Sequence, residues 1–212
     1  MKLVIGNKNY SSWSLRPWVL LSHFNVPFSE HRITLFTDDM KQNMSELCPN
    51  DKVPVLIDNH HKIWDSLSIC EYINEAYLSN NAWPAAPLAR AKARSICAEM
   101  HSGFNALRHE MPMNCRRTTA KIPLSDNALS DIKRIIELWN DCLSQSEGDF
   151  LFDNFSIADA FYLPVVVRFS IYSINVPSNI QRYMNTMLAL PAYQQWHSAA
   201  KSEIEIIECE EV

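Results

Sequence analysis

Glycine, paired cysteines and long apolar runs are scarce in this sequence, and each scarcity excludes a class of protein. Three glycines in 212 residues leave no glycine-rich loop of the kind that cradles phosphates. The six cysteines form no CxxC pair and no evenly spaced framework, which argues against a zinc site or a disulfide scaffold and favours reduced thiols. No apolar run is long enough for a signal peptide or a membrane span. We therefore expect a soluble, cytoplasmic protein that does not enter a membrane.

The charge and histidine patterns exclude two further kinds of partner. A formal net charge of -5, without a dense stripe of lysine and arginine, argues against nucleic-acid binding. His60 and His61 lie in a predicted turn, and His101 and His109 are eight residues apart, so neither pair has the spacing of a metal site on a helix. We expect no metal. The acidic tail from Glu203 to Glu211 is expected to be a solvated end.

The stretch Val53–Ile57 is β-branched and apolar apart from Pro54, which predicts a short strand. Proline removes a ladder donor, so Pro54 belongs at the start of a strand or on an edge. The bond before it can be cis, which would leave the backbone of Val53 unpaired at a sharp bend. Such an edge can hold a peptide.

Asp65 and Ser66 precede an apolar-periodic run, which places them at the N-terminus of a predicted helix. Free N–H groups and the dipole at a helix N-terminus attract anions. Together with the edge at Val53, this end predicts a site for a small anionic peptide. The simpler alternative is that Asp65 is only an N-cap.

The segment from Cys48 to Leu56, Cys-Pro-Asn-Asp-Lys-Val-Pro-Val-Leu, followed by Asp65-Ser66, resembles the glutathione transferase superfamily. That family carries a pattern like Asn-Pro-x-Gly-Lys-Val-Pro-x-Leu and then Glu/Asp-Ser at a helix start; Cys48 and Asp51 depart from it. The resemblance implies a thioredoxin-like first domain, glutathione as co-substrate and a homodimer. Residues 1–78 also read β-α-β-α-β-β-α, with a second strand predicted over His31–Phe36.

Residues 79–87 are a linker by composition, and residues 88–212 have helical periodicity. Apolar residues from Ile96 to Met111 predict one helix, and Leu129–Leu143 predicts another. Ser156 and Asp159 form a capping box before an apolar run, and the same box recurs in the second domain of the superfamily. The predicted fold is an α/β thioredoxin-like N-terminal domain followed by an all-α helical bundle.

The segment Tyr10-Ser11-Ser12-Trp13-Ser14-Leu15-Arg16 lies between the first strand and the first helix, where this superfamily keeps its thiol-activating group. It is similar to the zeta pattern Ser-Ser-Cys-x-x-Arg, with Trp13 in place of the cysteine. The resemblance implies that the Ser11 hydroxyl donates to the glutathione sulfur, with Ser12 and then Tyr10 as alternatives. On the residues alone these serines are turn and cap residues, and Ser14 is the predicted cap of the helix.

The resemblance also implies roles for the remaining site residues. Ser66 would receive the γ-glutamyl carboxylate, Asp65 the amino group and Lys52 the glycyl carboxylate, while Ser12 and the backbone of Val53 would also contact glutathione. A second-substrate pocket would be formed by Trp13, Met100, Phe104 and Arg108. A methionine and phenylalanine stripe is otherwise ordinary core.

The predicted function is a glutathione S-transferase whose activated thiol attacks a hydrophobic electrophile. Three alternatives remain open at this point. They are a glutathione-dependent isomerase of a small unsaturated acid, similar to maleylacetoacetate isomerase; a dehalogenase or thiol reductase; and a non-catalytic module of the same fold that binds glutathione or protein.

Overall fold

The computed structural model describes residues 1–212, except for the side chains at 38, 39 and 41–43. The strands are β1 (Lys2–Ile5), β2 (Ser29–Arg32), β3 (Val55–Asp58) and β4 (His61–Trp64). The helices are α1 (Ser12–His23), α2 (Asp38–Leu47), α3 (Ser66–Tyr77), α4 (Pro87–Ser102), α5 (Asn105–Glu110), α6 (Asp126–Leu143), α7 (Ile157–Ile171), α8 (Ser178–Ala189) and α9 (Pro191–Ser202). A short 3-10 turn, Glu208–Glu210, lies near the C-terminus.

The strands form one sheet in the order β2-β1-β3-β4, with β1 parallel to β2 and antiparallel to β3. Side chains of β1 alternate between two layers, as a strand requires. Leu3 and Ile5 join the main core with α1 and α3, whereas Val4 joins a smaller cluster with Met44 of α2 and Val55. Helices therefore cover both faces of the sheet, and the predicted order β-α-β-α-β-β-α is confirmed.

The predicted position of the second strand is wrong. The strand covers Ser29–Arg32, with exposed side chains, and not His31–Phe36. β2 is an edge strand whose pairing extends over the four residues of β1. The polar-apolar alternation after His31 therefore continues beyond the part of the chain that has a partner strand.

Helix α7 is the centre of the second domain. Every residue of α7 except Ser170 is buried, and the helix packs against α1, α4 and α8. The predicted capping box is confirmed at its start. The carboxylate of Asp159 accepts hydrogen bonds from the N–H and the hydroxyl of Ser156, each at 2.9 Å. Contact between α7 and α1 joins the core of the helical domain to that of the sheet.

The single helix predicted through Ile96 and Met111 is wrong, because the chain breaks between α4 and α5. Gly103 ends α4, and a Cβ built there would lie 2.8 Å from the carbonyl oxygen of Glu99. Phe104 follows in the left-handed region with φ 58°. Both helices still face one core, so the apolar spacing continues across the break.

The acidic tail is not a solvated end, contrary to the expectation from its composition. Glu203 accepts hydrogen bonds from the backbone N–H groups of Lys8 and Asn9, and Ile207 is buried. The tail therefore packs on the loop between β1 and α1.

The predicted linker, residues 79–87, lies between α3 and the first turn of α4. The N–H of Ala82 donates to Asn74 of α3 at 2.9 Å, and its carbonyl accepts from the N–H of Ile157 at 2.9 Å. The segment is thus anchored to both domains. Among the described residues, no helix has the length and apolar character needed to cross a bilayer.

Candidate functional site

The N-terminus of α1 brings two serine hydroxyls to a cleft between the domains. Ser11 is the N-cap residue, and its hydroxyl donates to the Ser14 Oγ at 2.7 Å. Ser14, predicted to be the cap, lies inside the helix, where its Oγ accepts from the N–H of Gly6 at 3.2 Å. The Ser12 Oγ accepts from Arg168 Nη2 at 3.3 Å. A hydroxyl has one hydrogen and two lone pairs, so Ser12 still has a hydrogen to donate.

The third hydroxyl near this turn points elsewhere. Tyr10 is buried, and its hydroxyl donates to a carboxylate oxygen of Glu211 at 2.5 Å while accepting from Arg116 Nη2 at 2.9 Å. Burial, followed by the hydrogen bond to Glu211, raises the pKa of Tyr10. The phenol is therefore engaged with the C-terminal tail and is the weakest of the three candidates for contact with a thiol.

The segment before β3 forms another wall of the cleft. The peptide bond between Val53 and Pro54 is cis, and the strand pairing of β3 begins at Val55. The backbone of Val53 therefore lies outside the sheet ladder and beside the cleft. Lys52 is exposed at the margin of the same wall.

The N-terminus of α3 faces the same cleft. Asp65 is its N-cap, with Oδ1 accepting from the N–H groups of Leu67 at 2.9 Å and Ser68 at 3.3 Å. The other carboxylate oxygen of Asp65 lies 3.0 Å from Nε2 of His101, a residue of α4. Ser66 is buried, and its Oγ accepts from Arg16 Nη1 at 3.3 Å. Asp65 thus both caps α3 and links it to the helical domain.

Arg108 and Arg168 line this cleft, and a third guanidinium group, that of Arg16, is buried beside Trp13. Arg16 Cζ lies 4.1 Å from the ring centroid of Trp13, and Arg108 Cζ lies 4.7 Å from the same centroid. Burial, then repulsion by Arg108 and Arg168, lowers the pKa of Arg16 to about 9. Burial and then Arg108 lower the pKa of Arg168 to about 10. Within the described part of the chain, none of the three has a carboxylate oxygen within 4.0 Å.

The cleft has a volume of about 720 Å³, which is within the range of small-molecule sites. Glu210 of the C-terminal turn also lines it, and burial raises the pKa of this carboxyl while nearby Arg168 opposes the rise. The predicted site residues at its wall are Ser11, Ser12, Trp13, Lys52, Val53, Asp65, Ser66 and Arg108.

Two predicted pocket residues lie elsewhere. Met100 and Phe104 are buried in the main core and are absent from the cleft lining, so the alternative that this stripe is core describes them better. Met100 faces inward because α4 packs against α7, and Phe104, the N-cap residue of α5, is buried in the same core.

Sequence reasoning missed His101, Arg168 and Glu210 as residues of the cleft. Arg168 had a usable signal, since it is the only charged side chain between Ala160 and Ile171 of an apolar helix. A lone charge in such a run needs a partner or a ligand. His101 and Glu210 had no comparable local pattern.

In the described part of the chain, no group of three or more histidine, cysteine, aspartate or glutamate side chains could hold a metal ion. The cleft presents serine hydroxyls, the N-termini of α1 and α3, guanidinium groups, carboxylates and the imidazole of His101.

Comparison with known proteins identifies both domains. Residues 10–76 match the family model "Glutathione S-transferase, N-terminal domain", and residues 122–199 match "Glutathione S-transferase, C-terminal domain". A probable maleylacetoacetate isomerase from Caenorhabditis elegans is 24% identical over 194 residues, which cover 88% of this chain and 89% of the relative.

Solved structures share the fold. A glutathione transferase homolog from Burkholderia, determined with bound glutathione, has a TM-score of 0.75 at 21% identity. The aligned region covers 95% of this chain and 98% of the homolog. A bacterial maleyl pyruvate isomerase of the zeta class has a TM-score of 0.73 at 19% identity, with 97% and 100% of the two chains covered. The predicted thioredoxin-like domain followed by a helical domain is confirmed, and the chain belongs to the glutathione S-transferase superfamily.

Proposed function

We propose that the protein is a glutathione S-transferase that binds reduced glutathione in the cleft and lowers the pKa of its thiol for attack on an electrophile. The observation that carries this proposal is the convergence of two helix N-termini, at Ser11 and Ser66, on one cleft that the backbone of Val53 borders. A thiolate and a carboxylate are both favoured beside helix N-termini. As the family implies, we propose a homodimer as the working state, which sedimentation would test.

The proposed orientation of glutathione follows these walls. Its cysteinyl unit pairs with the free backbone of Val53, and its γ-glutamyl carboxylate accepts from Ser66 at the start of α3. The glycyl carboxylate then extends toward Lys52. The amino group approaches Asp65, where it shares the carboxylate with His101.

Two hydroxyls compete for the sulfur, and we assign the first role to Ser11 because it is the N-cap residue of α1, where the helix dipole favours a thiolate; Ser12 is the alternative. Ser11 has to turn its hydroxyl hydrogen from Ser14 toward the ligand. Ser12 needs no such turn, and the cation of Arg168 beside its oxygen adds positive charge near the thiolate. Both arrangements favour the charged form of the thiol.

The size of the effect decides whether one hydroxyl is sufficient. A thiol with a pKa of about 8.5 is only a few per cent ionised at neutral pH. Lowering that pKa by about two units raises the thiolate fraction at neutral pH roughly 25-fold. A charge-assisted hydrogen bond of about 1.5–3 kcal/mol accounts for one to two of those units, so no general base is needed.

A second candidate is the glutathione-dependent isomerase of a small unsaturated acid. Arg108 and Arg168 favour it, because both border the cleft and neither has a carboxylate oxygen within 4.0 Å among the described side chains. The acid groups of such a substrate would pair with these two guanidinium groups. Trp13, held between Arg16 and Arg108, replaces the cysteine of the zeta pattern and weighs against it.

The deciding experiment is ultraviolet titration of the bound thiolate against pH in the wild type, Ser11→Ala and Ser12→Ala. We expect Ser11→Ala to raise the pKa of the bound thiol by at least one unit and Ser12→Ala to raise it less. The reverse order would transfer the role to Ser12, and a thiol pKa equal to that of free glutathione in the wild type would refute the proposal.

The same samples then react with a neutral chlorodinitrobenzene and with a cis-unsaturated keto acid. Turnover of the first favours the transferase, and turnover of the second favours the isomerase. Glutathione binding without turnover across a broad panel would leave the non-catalytic module.

A further inference from the structure

The C-terminal tail, residues 203–212, is built into the loop that carries the two serines. The carboxylate of Glu203 accepts from the backbone N–H of Lys8 at 2.8 Å and of Asn9 at 3.0 Å. Both loop residues are buried, so few water molecules could replace those acceptors. One side chain 195 and 194 positions away thus satisfies two successive amide groups of this loop.

The tail makes a second contact through Tyr10. The Tyr10 hydroxyl accepts from the N–H of Ile207 at 3.3 Å and donates to Glu211. Arg116 donates to the main-chain oxygens of Glu203 and Glu205, the latter at 2.6 Å, and so fixes the tail beside the phenol. The chain from 203 to 211 is therefore held at both ends against one loop.

One cation on the sheet, Arg32, holds the outer side of the tail. Arg32 of β2 lies 3.5 Å from a carboxylate oxygen of Glu203 and 2.6 Å from one of Glu205. The Glu203 carboxylate thus has a cation on one side and two amide groups on the other, which limits its freedom to leave the loop.

The loop transmits its position to the serines through short backbone contacts. The N–H of Ser11 donates to the carbonyl of Asn7 at 2.8 Å, and the N–H of Ser12 donates to the carbonyl of Tyr10 at 2.8 Å. Lys8 and Asn9 lie inside this turn. A displacement of their amide groups therefore moves both serine hydroxyls relative to Val53 and Ser66, which belong to other elements.

We propose that Glu203 is a positioning residue for thiol activation, acting through the loop to aim the Ser11 and Ser12 hydroxyls at the sulfur of glutathione. The inference rests on the proposed function. Glu203 does not line the cleft, so it contributes to activation without touching the ligand. Its loss should alter ionisation of the bound thiol more than affinity for glutathione, because Val53 and Ser66 are held independently by β3 and α3.

The test compares Glu203→Ala and Glu203→Gln with Glu208→Gln, which makes the same charge change at an exposed position of the same tail. We expect Glu203→Ala to raise the pKa of the bound thiol by about one unit, a tenfold change in the thiolate-to-thiol ratio. The Kd for glutathione at neutral pH should change by only about threefold, which is the change that a one-unit shift of the thiol pKa itself requires. Glutamine keeps one acceptor oxygen, so Glu203→Gln should show a smaller rise.

Amide hydrogen exchange of the peptide containing residues 7–12 provides a readout without ligand. It should become faster in Glu203→Ala and remain at the wild-type rate in Glu208→Gln. If Glu203→Ala does not fold, the comparison of Glu203→Gln with Glu208→Gln carries the test.

The outcomes separate the two proposals. No glutathione binding by the wild type would overturn the proposed function together with this inference. A wild type that binds and ionises glutathione, with a thiol pKa in Glu203→Ala equal to that in Glu208→Gln, would overturn the inference alone. So would a large loss of affinity without a change in the thiol pKa.

Discussion

Replacing Ser66 by alanine removes a hydroxyl that faces the cleft from the first turn of α3 while leaving the helix backbone intact. The Ser66 Oγ is buried and accepts from Arg16 Nη1 at 3.3 Å, so its own hydrogen is available to a ligand carboxylate. A hydrogen bond to a charged group contributes about 1.5–3 kcal/mol, which corresponds to roughly 10- to 150-fold in Kd.

Arg16 reduces the expected loss. Once Ser66 is gone, the guanidinium has lost its partner and can approach the ligand carboxylate more closely. We therefore expect the lower part of that range, a weakening of glutathione binding by about 10- to 30-fold. Ser68→Ala is the matched control, because Ser68 is exposed in the same helical turn. Its Kd should stay within about twofold of the wild type.

Calorimetry with two ligands isolates the contact. Reduced glutathione is compared with an analogue in which γ-aminobutyrate replaces the γ-glutamyl residue, so that only the α-carboxylate is missing. The penalty of Ser66→Ala should disappear for the analogue. An equal penalty for both ligands, or equal binding by Ser66→Ala and Ser68→Ala, would refute the assigned orientation of glutathione.

Three further predictions concern charged side chains. Arg16→Lys should lower the free energy of unfolding, measured in denaturant, by about 2 kcal/mol. The planar guanidinium group stacks on Trp13 and Phe161, whose ring centroids lie 4.1 and 4.5 Å from Cζ, and an ammonium group cannot replace that stacking. An unchanged free energy of unfolding would contradict this prediction. Burial raises the pKa of Asp159 from 3.8 to about 6. Between these pH values the folded state holds a proton that the unfolded state has lost, so stability falls as pH rises, by up to about 1.4 kcal/mol per pH unit. Asp159→Asn should flatten the dependence of the free energy of unfolding on pH, measured from unfolding curves across this pH range. A slope identical to that of the wild type would contradict the prediction. Arg108→Ala should lower kcat/KM for an acidic electrophile about tenfold, because the acid pairs with the guanidinium group. For a neutral electrophile kcat/KM should stay within about twofold of the wild-type value. Equal losses for the two electrophiles would show that Arg108 acts through packing.

Local chemistry explains which parts of the site could be predicted from the sequence. Pro54 after Val53, Asp65 before an apolar helix and the box at Ser156 and Asp159 each impose a backbone geometry on their neighbours. Each of these effects extends over a few residues, so the local structure can be predicted from the neighbouring sequence alone. The two-domain organisation was predicted from these local signals and from the change to helical apolar periodicity after the linker.

Long-range partners explain what could not be predicted. The acidic neighbours of Glu203 predict a solvated side chain. In the structure its carboxylate accepts hydrogen bonds from amide groups near the other end of the chain. Arg168 reaches Ser12 only because α7 packs on α1. The break at Gly103 was hidden for another reason, since the apolar spacing continues across it into the same core.

The central claim, binding with ionisation of the thiol, is tested most directly by calorimetry of the wild type with reduced glutathione in buffers of different ionisation enthalpy. Ionisation on binding releases a proton to the buffer, so the heat has to vary with the buffer. With a thiol pKa lowered by about two units, the account predicts saturable binding and release of about 0.7 proton per site at neutral pH. S-methylglutathione should bind without proton release. The absence of saturable heat at millimolar glutathione, or a heat that is the same in every buffer, would contradict the account.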